Sequence, residues 1–213
     1  MSTRSARAIA SAVAAAALAL GVLAWLVFAA REPALPEIRG YVLTTPRELP
    51  SVDLVDEHGA VFGSGAFAGH WSFLYFGYTY CPDVCPLTLV ELAKLKQALA
   101  ANGLAERTEY YLVSVDPNRD TPARLREYVA YFDPELHGLT GSAQALAALA
   151  KAAETVFDVP ADPEDHNYLV GHSSNIVLLD PQGRVHAVFT PPHDPATLAV
   201  DFVAVARRYN GSL

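Results

Sequence analysis

The stretch that decides the fold is residues 70–86, HWSFLYFGYTYCPDVCP. It starts with an aromatic and aliphatic run, His70 to Thr79, which is too short for an isolated helix and typical of a buried central strand. The chain's only two cysteines, Cys81 and Cys85, follow this run directly. A helical apolar pattern then covers Leu87 to Ala101. We therefore expect a buried strand, a cysteine-bearing loop and a helix in succession.

The flanking sequence alternates further strand and helix patterns. Parallel β-α-β links followed by an antiparallel pair and a helix predict an α/β, thioredoxin-like fold with an N-terminal β-hairpin and an inserted helix. One domain over residues 48–213 accounts for all of these elements. They are predicted as a hairpin at 51–62, a strand at 108–116, helices at 120–132, 142–157 and 194–209, and a second hairpin formed by 174–180 and 183–189.

The N-terminal region carries an uncharged apolar run over residues 8–30. A run of this length predicts a transmembrane helix, which would precede the thioredoxin-like domain. Arg4 and Arg7 come before the run, so the positive-inside rule places residues 1–7 in the cytoplasm. Residues 31–47, with four prolines among residues 31–50, are expected to form a tether. A cleaved signal peptide with a small-residue site at residues 27–29 is the alternative.

Charge and composition restrict the classes of partner and the cellular compartment that the sequence favours. The formal net charge is −8, and Arg4 and Arg7 are the only charged residues among the first thirty, so the remainder carries −8 − 2 = −10. Nucleic acid is thus a poor partner. Abundant alanine and scarce lysine point to a bacterial source, and we expect a single-pass protein of the bacterial inner membrane with its globular domain in the periplasm. A lone cysteine pair in that oxidising space must oxidise or be kept reduced by a partner.

The two cysteines admit three interpretations. Cys81 and Cys85 are one helical turn apart, which lets both sulfurs face one small object. A helix start also favours thiolates, the species that attacks disulfides and binds metals. A structural disulfide would close a very small loop and remove little chain entropy. A dithiol oxidoreductase normally carries C-x-x-C rather than C-x-x-x-C, and a metal site needs further ligands.

His172 is the histidine best placed to complete a metal site. It lies in the loop that enters the predicted strand 174–180, and in a thioredoxin-like domain this loop packs against the start of the first helix. Two thiolates and one imidazole form a soft set suited to Cu(I), and a further ligand would allow Cu(II). Zinc fits less well without a fourth ligand. A peroxidase of the same fold is a further, less favoured alternative.

Four motifs follow the N-terminal apolar run in order: GYTYCPDVCP at 77–86, VSVDPNRDTP at 113–122, GLTG at 138–141 and YLVGHSSNIVLLDPQGRV at 168–185. Together they resemble the SCO/SenC family, the copper chaperones for cytochrome c oxidase assembly. The resemblance covers Leu49 to Tyr209 and implies that Cys81, Cys85 and His172 are copper ligands.

The implied role is a membrane-anchored metallochaperone that receives copper from a periplasmic donor and helps deliver it to the copper-bearing oxidase subunit. The alternative is a thiol:disulfide oxidoreductase in which Cys81 and Cys85 reduce the cysteines of that subunit. Whether the protein is an enzyme stays open, with a metallochaperone favoured.

Several motif positions invite a more specific expectation. Two positions depart from the family pattern: Tyr80 replaces a common histidine, and Gly171 replaces an aspartate whose loss could alter ring orientation at His172 and affinity for Cu(II). Asp83, between the cysteines, is expected to shape the loop. Turn and helix-cap roles, with partner contact as a secondary role, are expected for Asp116, Arg119 and Asp120.

Overall fold

The protein is described from a computed structural model, which covers residues 13, 15–26, 35–100, 103–160 and 168–211. The chain divides into two compact units, Met1–Leu35 and Pro36–Leu213. The second unit contains the strands and helices that position the candidate site.

The described part of the first unit corrects the predicted transmembrane helix. Residues 13 and 15–26 are helical and exposed, whereas residues 8–12, 14 and 27–30 of the predicted span lie outside the described residues. Among the described residues, no helix combines the length and the apolar character that crossing a membrane requires. The prediction of a transmembrane helix over 8–30 is therefore wrong on this finding.

The second unit is built on an eight-stranded mixed sheet. Its strand order is β1-β10-β9-β4-β5-β6-β2-β3, with β4, β5 and β6 parallel and the other pairs antiparallel. A separate two-stranded ladder joins β7 to β8. The strands are β1 (Gly40–Arg47), β2 (Asp53–Asp56), β3 (Val61–Gly63), β4 (Trp71–Gly77), β5 (Thr108–Ser114), β6 (Leu136–Gly141), β7 (Phe157–Asp158), β8 (Gly171–His172), β9 (Ile176–Leu179) and β10 (Val185–Phe189).

Four helices follow the strands in the pattern expected from the sequence. Thr121 caps the second of them, since its side chain accepts a hydrogen bond from the Arg124 N–H and a proline follows at the first helical position. Ser142 caps the third helix in the same way. The helices are α1 (Val84–Ala100), α2 (Pro122–Phe132), α3 (Ala143–Ala152) and α4 (Pro195–Gly211).

Strand β4 forms the centre of the core, as the aromatic run predicted. All seven of its residues are buried, and it lies between β5 and β9. The Phe73 ring stacks on Tyr110 from β5 at 5.5 Å and contacts Phe202 from α4 at 5.1 Å, so this strand joins the sheet to a covering helix. The two cysteines follow the carboxyl end of this strand, and ligands bind at this end of the strands in sheets of this kind.

The thioredoxin-like order and both hairpins are confirmed, but three local predictions differ from the structure. Strand β1 occupies part of the predicted tether, because it pairs with β10 at the sheet edge. Strand β6 was not predicted; its Gly138 lets the backbone approach α2, and a Cβ there would lie 2.9 Å from Leu125 Cβ. The predicted helix 142–157 ends at Ala152, since residue 157 pairs with β8.

Candidate metal centre

The cysteine loop connects the end of β4 to the start of α1. The Cys81 N–H donates to the Tyr78 carbonyl at 3.2 Å, which makes a tight turn directly after the strand. The Cys85 N–H, in the first turn of α1, donates to Cys81 Sγ at 3.5 Å. The helix start therefore holds the first sulfur in place with a backbone group that has no partner within the helix.

His172 reaches the cysteines from a distant part of the chain. It lies in β8, where it pairs with Phe157 of β7, and the next N–H, that of Ser173, donates to the Val156 carbonyl at 3.0 Å. His172 Nε2 lies 3.4 Å from Cys85 Sγ. Its Nδ1 lies 3.0 Å from the Ser173 carbonyl, to which it donates, so the Nε2 lone pair faces the thiols.

The structure brings together the three residues that the sequence singled out. The ligand atoms of Cys81, Cys85 and His172 all lie within 4.8 Å of one another. Both cysteines are free thiols; Cys81 is half-buried and Cys85 is buried. Two soft sulfur donors and one imidazole at this spacing fit a soft metal ion such as Cu(I) better than a hard one.

Burial controls the ionisation of this site. Desolvation raises the pKa of the Cys85 thiol well above its usual value, which corrects the expectation that the helix start would favour a thiolate at this position. Desolvation likewise lowers the pKa of His172, which favours the neutral imidazole that a metal requires. An incoming metal would therefore meet a ready imidazole and would displace the proton of Cys85.

Two tyrosines enclose the buried side of the site. The Tyr75 hydroxyl donates to Cys85 Sγ at 3.7 Å. The Tyr78 ring stands edge-on to the His172 ring at 5.7 Å, and its hydroxyl accepts the Val170 N–H at 3.2 Å. These contacts fix the sulfur and the segment before the histidine. Sequence reasoning missed both roles, because in a run of aromatic residues nothing distinguishes a site tyrosine from a core tyrosine.

A buried network behind the site supports the histidine segment. The Asp116 carboxylate accepts a hydrogen bond from the Tyr168 hydroxyl at 2.6 Å and pairs with Arg119. The Arg119 guanidinium lies 3.5 Å from the centre of the Tyr168 ring. Asp116 and Arg119 therefore do more than form a turn, because they hold the chain four residues before His172.

The two positions that depart from the family pattern have different surroundings. Tyr80 is 42% exposed and packs against two guanidinium groups, 4.7 Å from Arg119 and 4.0 Å from Arg124. A Cβ at Gly171 would meet only Asp158 Cβ at 4.0 Å, so an aspartate has room there and the packing does not require glycine. The hydrogen bond from His172 Nδ1 goes to the Ser173 carbonyl. Neither departure removes a proposed ligand.

The other described histidines do not belong to the Cys81, Cys85 and His172 group. His58, His70 and His137 lie near the β2–β3 turn and the amino ends of the parallel strands, and His186 contacts Trp71 and Tyr209. His193 Nε2 lies 2.6 Å from the Ser174 carbonyl. His166 lies outside the described residues. Asp83 is exposed, and its carbonyl accepts the Leu87 N–H at the start of α1.

The fold and site define a thioredoxin-like domain with a candidate Cys-Cys-His metal centre, and comparison with known proteins gives the family. The SCO1/SenC family model matches residues 44–207, and the chain belongs to this family. A protein of Stutzerimonas stutzeri named "Putative copper-binding protein" is 39% identical over 71% of this chain and 74% of its own length.

Two further relatives extend the comparison to other organisms. The Bos taurus protein SCO2 homolog, mitochondrial, is 36% identical over 73% of this chain, which spans 57% of that relative's length. The crystal structure of Arabidopsis thaliana ScoI with copper bound matches with a TM-score of 0.68 and 31% identity, covering 80% of this chain and 99% of that one.

The close approach of Gly77 to the site gives a prediction about stability. A Cβ at this position would lie 2.9 Å from Cys85 Sγ and 3.0 Å from Tyr75 Cε1. Gly77→Ala must therefore displace the sulfur or the ring, and we expect a loss of about 1–3 kcal/mol in the free energy of unfolding. Chemical denaturation of the full chain measures this loss.

Gly65→Ala is the matched control, since a Cβ there meets nothing within 4 Å. Equal unfolding free energies for the two variants would show that the packing at Gly77 tolerates a methyl group.

Proposed function

We propose that this protein is a copper metallochaperone that binds copper through Cys81, Cys85 and His172. The observation that carries the proposal is the convergence of two thiols and one imidazole, from segments far apart in sequence, to within 4.8 Å. The copper-bound structure of the Arabidopsis thaliana relative supports copper as the metal. The lowered pKa of His172 keeps its imidazole neutral and ready to bind, whereas the raised pKa of Cys85 means that the entering metal displaces the proton of that thiol.

The copper site is tested by removing the imidazole. The full chain, reduced and kept without oxygen, should bind one Cu(I) in competition with a chromogenic chelator. Loss of one of three ligands should weaken binding in His172→Ala by at least about tenfold, or about 1.4 kcal/mol. His70→Ala is the control, because His70 precedes β4 at the end of the strand opposite the cysteines and its Nε2 lies 3.3 Å from the Tyr111 hydroxyl. Parent-like affinity in His172→Ala would rule out the three-ligand site.

The proposed target of the copper is the copper-bearing subunit of cytochrome c oxidase. Support comes from membership of the SCO1/SenC family and from the position of the half-buried Cys81 at the end of the cysteine loop, where a partner's thiol can reach it. Exchange of ligands one at a time, from Cys81 to the thiols of the subunit, would move the metal without releasing it into solution. A periplasmic donor would load the site by the reverse exchange.

The thiol:disulfide oxidoreductase is the second candidate, because the two thiols differ in exposure. The half-buried Cys81 would attack a disulfide of the oxidase subunit, and the buried Cys85 would then resolve the mixed disulfide. In the overall reaction, the two thiols of this chain are oxidised to a disulfide, while one disulfide of the subunit is reduced to two thiols.

Mixing experiments distinguish the two functions. A chaperone should transfer Cu(I) to the reduced, copper-free subunit, and His172→Ala should abolish transfer. An oxidoreductase should instead reduce the oxidised subunit without copper and should tolerate His172→Ala. Thiol labelling and the absorption of the subunit's copper centre record the two results. Disulfide reduction by His172→Ala at the parent's rate, with no copper transfer by the parent, would favour the second candidate.

We propose the bacterial periplasm as the compartment in which the domain works. The apolar, uncharged residues 8–30 behind Arg4 and Arg7 have the composition of an export segment, and the cysteine pair suits an oxidising space with a reducing partner. A C-terminal alkaline phosphatase fusion should be active, since this reporter needs an oxidising compartment. An inactive phosphatase fusion beside an active C-terminal β-galactosidase fusion would place the domain in the cytoplasm.

A further inference from the structure

A second group of metal-ligating side chains lies at the other end of the sheet. Glu57 and His58 belong to the turn between β2 and β3, and His137 lies at the amino end of β6. The cysteines, in contrast, follow the carboxyl end of β4, and β4, β5 and β6 are parallel. The group therefore lies at the end of the sheet opposite the Cys-Cys-His centre. It lines a cavity of about 220 Å³ together with Tyr111 and other neighbours.

Glu57 and His137 already have the geometry of a supported ligand pair. Glu57 Oε1 lies 3.1 Å from His137 Nδ1, and Glu57 Oε2 accepts the Gly138 N–H at 3.1 Å. His137 Nε2 lies 3.3 Å from Glu109 Oε2. A metal that replaces the proton on Nδ1 would leave the Nε2 proton hydrogen-bonded to Glu109. This carboxylate–histidine–metal arrangement is the one that orients histidine ligands in many metal sites.

His58 supplies a third donor next to the same carboxylate oxygen. Its Nε2 lies 3.5 Å from Glu57 Oε1, and its side chain is 66% exposed. Bonds of about 2.1 Å at tetrahedral angles separate two ligand atoms by about 3.4 Å. The measured separations of 3.1 and 3.5 Å from Glu57 Oε1 match two sides of such a site. The third side, between the two imidazoles, is open as the side chains stand, since among the described residues Cys81, Cys85 and His172 are the group whose donor atoms all lie within 4.8 Å of one another. Metal binding at Glu57 therefore requires the exposed His58 side chain to rotate toward His137.

We propose that Glu57, His58 and His137 bind one divalent transition-metal ion of borderline softness, Zn²⁺ or Cu²⁺, with Glu109 as the outer partner of His137. Two imidazoles and one carboxylate are the donor set that Zn²⁺ uses in open sites, where water takes the fourth position. Cu²⁺ also accepts nitrogen and oxygen donors, whereas Cu(I) prefers the thiolates at the opposite end. The site is independent of the proposed copper function, because it shares no residue with the Cys-Cys-His centre.

Zn²⁺ tests the site in a chain that lacks the thiols. The full-length Cys81→Ser/Cys85→Ser variant, titrated by calorimetry, should bind one Zn²⁺. Adding His58→Ala should weaken binding at least about tenfold, or about 1.4 kcal/mol. This exposed side chain can be removed with little risk to folding. His137→Ala should weaken binding further, and Glu109→Gln should give a smaller loss, because Glu109 acts through His137.

His70→Ala is the matched control, since His70 Nε2 lies 3.3 Å from the Tyr111 hydroxyl near the cluster but is not a proposed ligand. A parallel titration of the parent chain saturated with Cu(I) covers the case in which the double cysteine variant fails to fold. Parent-like Zn²⁺ affinity in His58→Ala, or no Zn²⁺ bound by either the Cu(I)-saturated chain or a folded cysteine variant, would overturn the proposal.

Discussion

The buried carboxylate of Asp120 is the contact on which the position of the cysteines depends. It accepts hydrogen bonds from the N–H and the hydroxyl of Thr79 at 3.0 and 2.6 Å and from the Ser114 hydroxyl at 2.6 Å. Thr79 lies between β4 and Cys81, and Ser114 ends β5, so one side chain joins the ends of the two central strands. Burial raises the pKa of Asp120, and its hydrogen bonds offset part of that desolvation cost.

The same turn after β5 also anchors the segment that carries His172. The Asp116 carboxylate accepts a hydrogen bond from the Tyr168 hydroxyl, while Arg119 forms an ion pair with Asp116 and stacks on the Tyr168 ring. Asp120 thus fixes the position of the cysteine loop, and Asp116 fixes the segment that carries His172. Because both carboxylates belong to one short turn, a distortion there would change the distance between the sulfurs and the imidazole, rather than the position of one ligand alone.

The order of the central elements followed from sequence because burial and capping leave local patterns. The aromatic run of β4 and the proline after Thr121 gave correct placements, and the expectation that the segment entering strand 174–180 brings His172 to the start of the first helix was also correct. Strand β6 has a short sequence that contains glycine and carries no clear strand pattern. The role of Gly138, which lets the backbone approach Leu125, becomes visible only when the neighbouring helix is in place. The raised pKa of Cys85 could not be predicted from the sequence either, because burial by residues distant in sequence outweighs the local effect of the helix start.

The unequal burial of the two thiols orders what can happen at the site. Cys85 is buried, receives the Tyr75 hydroxyl and lies 3.4 Å from His172, whereas Cys81 is half-buried and is held by one backbone N–H. An approaching thiol or disulfide therefore meets Cys81 first. During metal exchange, Cys85 and His172 would keep hold of the ion while Cys81 is replaced. During disulfide exchange, Cys85 would wait behind Cys81 as the resolving thiol. One arrangement of exposure would suit both proposed reactions, and only metal exchange would need the imidazole.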